Sequence, residues 1–333
     1  MAQSPLSPNF ISVVVPVYNE QTAVNTFVDT LEPVLSKLSV GYEIVFVNDG
    51  STDQTLECLL ALRERNKAIA IVDLSRNFGK EAAVVAGLEA AGGIAAIIMD
   101  VDLQDPPEIV SEMVDKWVAG ADVVIAIRTD RSSDGFLKRS SAKFFYSLFG
   151  YISETALPEG SGDFRLMDRQ VVDAFLRLEE RARFNKGLFA WLGFRQEFVR
   201  HVRPQANRGE SRWRPRKLIQ YAFDGLFSFS TVPIRVWSLV GGVISALSLA
   251  YGLYLMLRTM IFGIDMPGYA SLMVAMLFFG GVNLFTFGLL GEYIGRILIE
   301  SKRRPLYIVR THLKAAPEQP LSKPVRSKKR LPT

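Results

Sequence analysis

The sequence predicts an α/β protein: a mostly parallel sheet covered by helices, followed by interfacial helices and two helices that cross a membrane. Three observations predict it. Short β-branched runs alternate with helix-period segments through the first part of the chain, the pattern of strands buried on both faces. Polar clusters stand at the end of each run, where ligands bind in open parallel sheets. From about Ile234 the character changes, and two long stretches carry no charge.

In chain order, "ISVVVPV" (11–17) predicts the first strand, and a helix is expected from about Asn19 to Leu38. "YEIVFVNDGS" (42–51) predicts a strand running into turn residues, followed by a helix to about Arg65. "AIAIVDLS" (68–75), a helix from Lys80 to Ala91, "IAAIIMD" (94–100), a further helix and "ADVVIAIR" (121–128) complete the series. The clusters at the strand ends are Tyr18–Glu20, Asn48–Asp53, Asp100–Gln104 and Arg128–Arg131, which predicts one active site.

"RPRKLIQYAFDGLFSFS" (214–230) sets basic against apolar residues at helical spacing and predicts an interfacial helix. "KFFYSLFGYI" (143–152) is either a second such helix or a core helix. The stretches at about 236–257 and 268–291 are each long enough to span a hydrocarbon core of ~30 Å. Lys and Arg crowd their outer flanks while the loop between them holds only Arg258, so both termini are expected in the cytosol. "RPLYIVR" (304–310) is a candidate strand added to a sheet, its own or a neighbouring subunit's. Gly291 and Gly295 allow close helix pairing, and with that strand they suggest a dimer or tetramer. The expected domains are 1–210 (catalytic), 211–232 (interfacial), 233–298 (two membrane helices) and 299–333 (strand and basic tail).

Composition narrows the function. The formal charge of +5 is concentrated in 200–217 and in the tail beyond Lys302, beside apolar segments. That placement favours an anionic membrane surface or a phosphate-bearing substrate over nucleic acid. One cysteine excludes an internal disulfide, and two histidines leave no His-rich zinc site. No basic n-region with an apolar core opens the sequence, so no signal peptide is expected.

"AAIIMDVDLQDPPE" (95–108) carries the chemistry: an apolar run ends on Asp100, Asp102 and Asp105. Neighbouring carboxylates repel unless a cation or hydrogen-bond donors compensate them. Asp100, Asp102 and Gln104 alternate, so an extended segment would project them to one side. Oxygen donors on a short loop suit Mg²⁺ or Mn²⁺ shared with the phosphates of a nucleotide.

"VVVPVYNE", "VNDGSTDQT", "RNFGKEAAVVAGL", "DVDLQDPPE" and "GSGDFRLMDR" occur together and in order. They resemble the cytosolic catalytic domain of glycosyltransferase family 2, of GT-A (Rossmann-like) fold, in its dolichyl-phosphate-mannose-synthase-like branch. The ending "EYIGRILIESKRRPLYIV" is similar to bacterial members that glycosylate undecaprenyl (bactoprenyl) phosphate. The resemblance implies a multi-pass enzyme of the bacterial inner (plasma) membrane. It implies transfer of a sugar from a nucleotide sugar to undecaprenyl phosphate with a divalent cation, Mg²⁺ or Mn²⁺. UDP-glucose is the favoured donor, ahead of other UDP-hexoses, UDP-modified pentoses and GDP-mannose. By position, Pro16, Tyr18, Glu20, Asp49 and Lys80 would line the nucleotide pocket, and Asp100 and Asp102 would bind donor and metal with Gln104 as a further ligand. Arg128 and Arg131 would clamp phosphate oxygens, Asp163 would sit near sugar or acceptor in a "SGDFRL" loop, and Arg208 and Ser211 would hold the acceptor phosphate.

A lipid monophosphate is already anionic near neutral pH. Attack of its oxygen on the anomeric carbon, with inversion, therefore needs positioning more than a base, and Asp163 would either orient groups or take a proton. Three other readings fit the sequence less well. A processive polysaccharide synthase would carry Gln-x-x-Arg-Trp, but Gly209 stands where the Gln belongs. A dinucleotide oxidoreductase would show GxGxxG after a strand, and none does. A non-catalytic membrane scaffold would not need an intact set of acidic and basic residues.

Overall fold

A run such as FISVVVPV has no polar face to offer water, and the structure buries it at the centre of a sheet. The computed structural model describes residues 10–128, 161–181, 183, 185–201, 232–262 and 268–316. They fall into two compact units, 1–213 with 304–333, and 214–303. In the first unit β1 (Phe10–Val17) lies between β2 (Gly41–Asn48) and β4 (Ala95–Ile98), parallel to both, and β2 pairs in parallel with β3 (Ile69–Leu74). Strands β5 (Val123–Arg128), β6 (Ser161–Asp168), β7 (Gln196–His201) and β8 (Val309–Leu313) complete an eight-stranded sheet in the order β7-β5-β6-β4-β1-β2-β3-β8.

Alternation along β1 divides the core between the two faces. Ile11, Val13, Val15 and Val17 join the main core with Phe27 and Leu31 of α1 (Val24–Leu35), Leu59 of α2 (Thr55–Arg65) and Met113 and Trp117 of α4 (Ile109–Val118). Val14 faces the other way, onto α3 (Lys80–Ala90). There Gly87 makes the contact possible: a Cβ on it would stand 2.3 Å from Val14 Cγ1 and 2.9 Å from Val47 Cγ2. Small residues along α3 thus let it settle onto β1 and β2, which fixes the height of Lys80 at its N-terminus.

The expected α/β, mostly parallel sheet is present, with two departures. The "SGDFRL" segment is a strand, β6, and not a loop; it runs antiparallel between β4 and β5. Its charged residues hid an alternation in which Phe164 and Leu166 are buried core residues while Asp163 and Arg165 point the other way. The C-terminal strand is 309–313, not 304–310, and it pairs antiparallel with β3 of its own chain. Further bonds extend this attachment: Ser75 N–H donates to Ile308 O (2.9 Å) and Ala316 N–H to Lys67 O (2.8 Å).

Two more helices, α5 (Arg169–Leu176) and α6 (Asn185–Trp191), lie among the described residues of the first unit. The second contains α7 (Val232–Phe262) and α8 (Tyr269–Ser301), both longer than the expected 236–257 and 268–291. Among the described residues one stretch, Phe278–Ser301, is long and apolar enough to cross a membrane; two crossing helices are not established by this measure. Large apolar side chains such as Leu247, Leu253, Leu284 and Phe287 are exposed along both helices. The pair is joined by Trp237 Nε1–H, which donates to Thr286 Oγ1 (2.6 Å), and by a tilted contact of Trp237 with Phe285, ring centroids 4.5 Å and planes 53° apart. The expected interfacial segments, 143–152 and 214–230, lie outside the described residues.

Gly87→Ala should cost about 1–3 kcal/mol, the usual range for overpacking against stiff β-branched neighbours. The check is a lowered thermal midpoint of the purified full-length protein compared with the parent.

Candidate active site

The register of β4 with β6 builds the centre of the site. Ile98 is paired with Arg165, and beyond that last pair come Asp100, just after β4, and Asp163, on β6. Lys80, delivered by the N-terminus of α3, fills the gap. Its Nζ lies 2.6 and 2.8 Å from the two oxygens of Asp100 and 2.7 Å from Asp163 Oδ2. Asp163 also faces Lys186 Nζ at 3.5 Å. Lys186 is brought there because Asn185, at the start of α6, is bonded to Glu81: its N–H donates to Glu81 Oε2 (2.9 Å) and its Nδ2 to Glu81 O (3.1 Å).

The charges settle unequally. Burial works against the Lys80 ammonium, but the two carboxylates outweigh it and hold the lysine well above its usual range. Burial also opposes ionisation of Asp163, and there Lys186, Lys80 and Arg165 together win, keeping its carboxyl far below the usual range. Asp100 goes the other way: burial, with repulsion from Asp163 and Asp102, outweighs Lys80 and raises it. Arg165 is buried beneath, pushed down to about 10 by burial against the pull of Asp163 and Glu81. Its guanidinium lies over the Phe189 ring at 4.5 Å and donates to Gly162 O at 3.0 Å. A cavity of about 10 Å³, too small for a sugar, is lined by Lys80, Val84, Ile98, Asp163 and Phe189.

The neighbouring loops are cross-bonded. After β1, Asn19 adopts the left-handed region (φ 56°) and its Oδ1 accepts from Thr52 N–H (2.8 Å), while its own N–H donates to Ser51 Oγ (3.0 Å). Glu20 N–H donates to Thr55 Oγ1 (2.9 Å), and Gln54 N–H to Gln21 Oε1 (3.0 Å). Asp49 is buried and committed to the backbone. Its two oxygens accept from Phe78 N–H (2.7 Å) and Gly79 N–H (2.9 Å), while burial raises its carboxyl despite both bonds. Gly50 (φ 64°) seals that contact, because a Cβ there would come within 2.4 Å of the Arg76 carbonyl carbon. Asp49 therefore holds the loop that carries Lys80.

β4 ends at Ile98, and the aspartate segment is not extended as the alternation suggested. Val101 and Asp102 form a turn and Leu103 is left-handed (φ 52°), an unfavourable conformation of order 1–3 kcal/mol that its packing against the core sustains. Asp102 is exposed, and its Oδ1 accepts from Gln104 N–H at 3.1 Å. Among the described residues no three His, Cys, Asp or Glu side chains form an all-protein metal cage. The donors present nonetheless fit a hard divalent cation of the kind that takes one or two carboxylates and completes its shell with phosphate. Asp102 and Gln104 are the candidates, since Lys80 already neutralises Asp100.

Of the other predicted residues, Pro16 lies at the end of β1, Tyr18 is exposed just beyond it, and Arg128 closes β5. Arg131, Arg208 and Ser211 lie outside the described residues. Sequence reasoning missed Lys186, Arg165, Glu81 and Asn19, and also the buried pair in which His201 Nε2 lies 3.0 Å from Asp105 Oδ1. Only the Asp163/Arg165 alternation offered a signal; the rest depend on contacts between segments far apart in the chain.

Comparison with known proteins agrees with this architecture. Residues 12–176 match Glycosyl transferase family 2, and residues 232–297 match the GtrB C-terminal hairpin. An uncharacterized glycosyltransferase of Synechocystis sp. is 50% identical over 90% of this chain and 94% of its own. The bactoprenol glucosyl transferase of Shigella phage SfV is 46% identical over 90% of this chain and 98% of its own. A prophage bactoprenol glucosyl transferase homolog of Escherichia coli is 45% identical over 90% and 98% respectively.

Asp163→Asn should lower stability at neutral pH by on the order of 2 kcal/mol, because Lys80 and Lys186 lose a charged acceptor. A carboxyl whose folded pKa is depressed stabilises fully above its unfolded value and loses that contribution as pH falls through the folded one. The gap in thermal midpoint between variant and parent should therefore be constant near neutrality and close as pH drops below about 4.

Proposed function

The chain belongs to glycosyl transferase family 2, and on that premise we propose that it moves glucose from UDP-glucose to undecaprenyl phosphate, inverting the anomeric centre. The observation that carries this reading is the end-to-end similarity to bactoprenol glucosyl transferases, hairpin included. The site supports it through its charge. Lys80 and Lys186 present ammonium groups to an incoming anion, and the anionic Asp163 orients both. A phosphate monoester acceptor brings its own nucleophilic oxygen and needs no base. The cross-bonded loops at Tyr18–Glu20 and Asp49–Asp53 would receive the nucleotide, with Asp49 acting through the loop it holds. Asp102 and Gln104 would hold Mg²⁺ or Mn²⁺, which when bound offsets the charge of the departing diphosphate. Arg128, and by sequence position Arg131, Arg208 and Ser211, would meet the acceptor phosphate.

The enzyme would sit in the bacterial plasma membrane through α7 and α8. What supports two spans is connectivity: β1–β7 precede the hairpin, β8 follows it, and all belong to one sheet. Segments on both sides of the hairpin therefore lie on one side of the bilayer, which requires an even number of crossings. Arg235, Arg296 and Lys302–Arg304 at the outer ends fit a cytosolic assignment.

Reconstituted with undecaprenyl phosphate, the protein should carry label from UDP-glucose into the lipid fraction. EDTA should abolish the transfer, and Asp102→Ala should lower it at least about a hundredfold, the scale for removing a group that stabilises the departing charge. Transfer from a different nucleotide sugar alone would replace glucose in this reading; full activity of Asp102→Ala would remove the metal site.

In a Cys58→Ser background, Asp265→Cys should react with a membrane-impermeant maleimide from the periplasmic side, and Ser301→Cys only after the membrane is opened. Equal protection of both would contradict two spans.

A further inference from the structure

The strand that follows the hairpin does more than close the sheet edge. Arg310, on β8, reaches two points on the chain that leads to Lys80. Its Nη2 donates to Ser75 O at 2.9 Å and its Nη1 lies 3.6 Å from Asp73 Oδ2. Asp73 is buried at the end of β3, where its Oδ1 accepts from Asn48 Nδ2 at 2.7 Å. Asn48 Oδ1 in turn accepts from Ser51 N–H at 3.3 Å, in the loop bonded to Asn19. The β3–β8 register shifts between Asp73, opposite Thr311, and Leu74, opposite Val309, which leaves Arg310 as the extra, unpaired residue of β8. From there Ser75–Gly79 is clamped on both sides: Ile308 and Arg310 hold Ser75, while Asp49 and Gly50 hold the backbone of Arg76–Gly79.

We propose that Arg310 is a positioning residue for the nucleotide site, one through which the segment after the hairpin sets the loop that delivers Lys80 and the Asn48–Asp53 loop. The inference rests on the proposed function, which takes these loops as the nucleotide's seat. The guanidinium suits the task, since its planar fork contacts a carbonyl and a carboxylate at once, as an ammonium does not. The side chain is 61% exposed, so the ion pair adds little to global stability. Its effect falls on local geometry.

The experiment uses full-length protein in detergent and measures UDP affinity by calorimetry together with steady-state transfer. Arg310→Ala should weaken UDP binding about three- to thirtyfold, the range of an indirect coupling. KM for UDP-glucose should rise in parallel, with KM for undecaprenyl phosphate unchanged. The control is Arg63→Ala, which removes the bond from Arg63 Nη2 to Lys314 O (2.7 Å) beyond the other end of β8. It should leave UDP affinity within about twofold, below the range expected of an indirect coupling. A change below threefold in Arg310→Ala, or an equal loss in both variants, would overturn the positioning role. If the parent itself binds no UDP, the proposed function falls and this inference with it.

Discussion

One ammonium group between two carboxylates organises the catalytic half of this protein. Asp100, just beyond β4, and Asp163, on the neighbouring β6, come close enough to share one ammonium, an arrangement that repels unless a cation separates them. Lys80 is that cation, and its position depends on nearly everything around it: the close seat of α3 on Val14 and Val47, the loop held by Asp49, and the bond from α6 to Glu81 that adds Lys186. Because the charges divide unevenly, Asp163 remains an anion while Asp100 is the more easily protonated partner. Two carboxylates of one cluster thus differ in character through environment alone.

The approach to this centre is built from loops that hold one another. Asn19, Ser51, Thr52 and Thr55 tie the turns after β1 and β2 into a single surface, and Asp49 binds the turn after β3 to it. Three consecutive strand ends in a parallel sheet are therefore coupled before any ligand arrives. Such preorganisation lowers the ordering cost of binding. The left-handed residues Asn19 and Leu103 lie at this same end of the sheet, which is where local strain is usually sustained by surrounding structure.

Connectivity ties the apolar hairpin to the catalytic sheet. The chain leaves the sheet after β7 and returns as β8, against the edge of β3. The edge strand thereby gains a partner where its unpaired backbone groups would otherwise invite association. The returning segment also brings Tyr307, whose hydroxyl donates to Glu89 near the end of α3, so both the helix that starts with Lys80 and the strand before it are touched by residues beyond the hairpin.

The sequence by itself determined the parallel strands, the order of the polar clusters at their ends and the two long apolar segments. Each is a local pattern: four to eight buried residues, a turn, a helical period. It also marked Asp100, Asp102, Asp163 and Lys80 as members of one site through motifs read in order. Tertiary structure decided what those residues do to one another. β6 was hidden by its charges, and its insertion between β4 and β5 is a long-range pairing with no local trace. Asp49 also accepts from two backbone amides some thirty positions away, a contact that no local pattern announces. Arg310 shows the same limit, since Ser75, to which it donates, lies 235 positions away across the hairpin. Hydrophobic periodicity is written in neighbours along the chain, whereas charge pairing depends on neighbours in space, and only the fold supplies those.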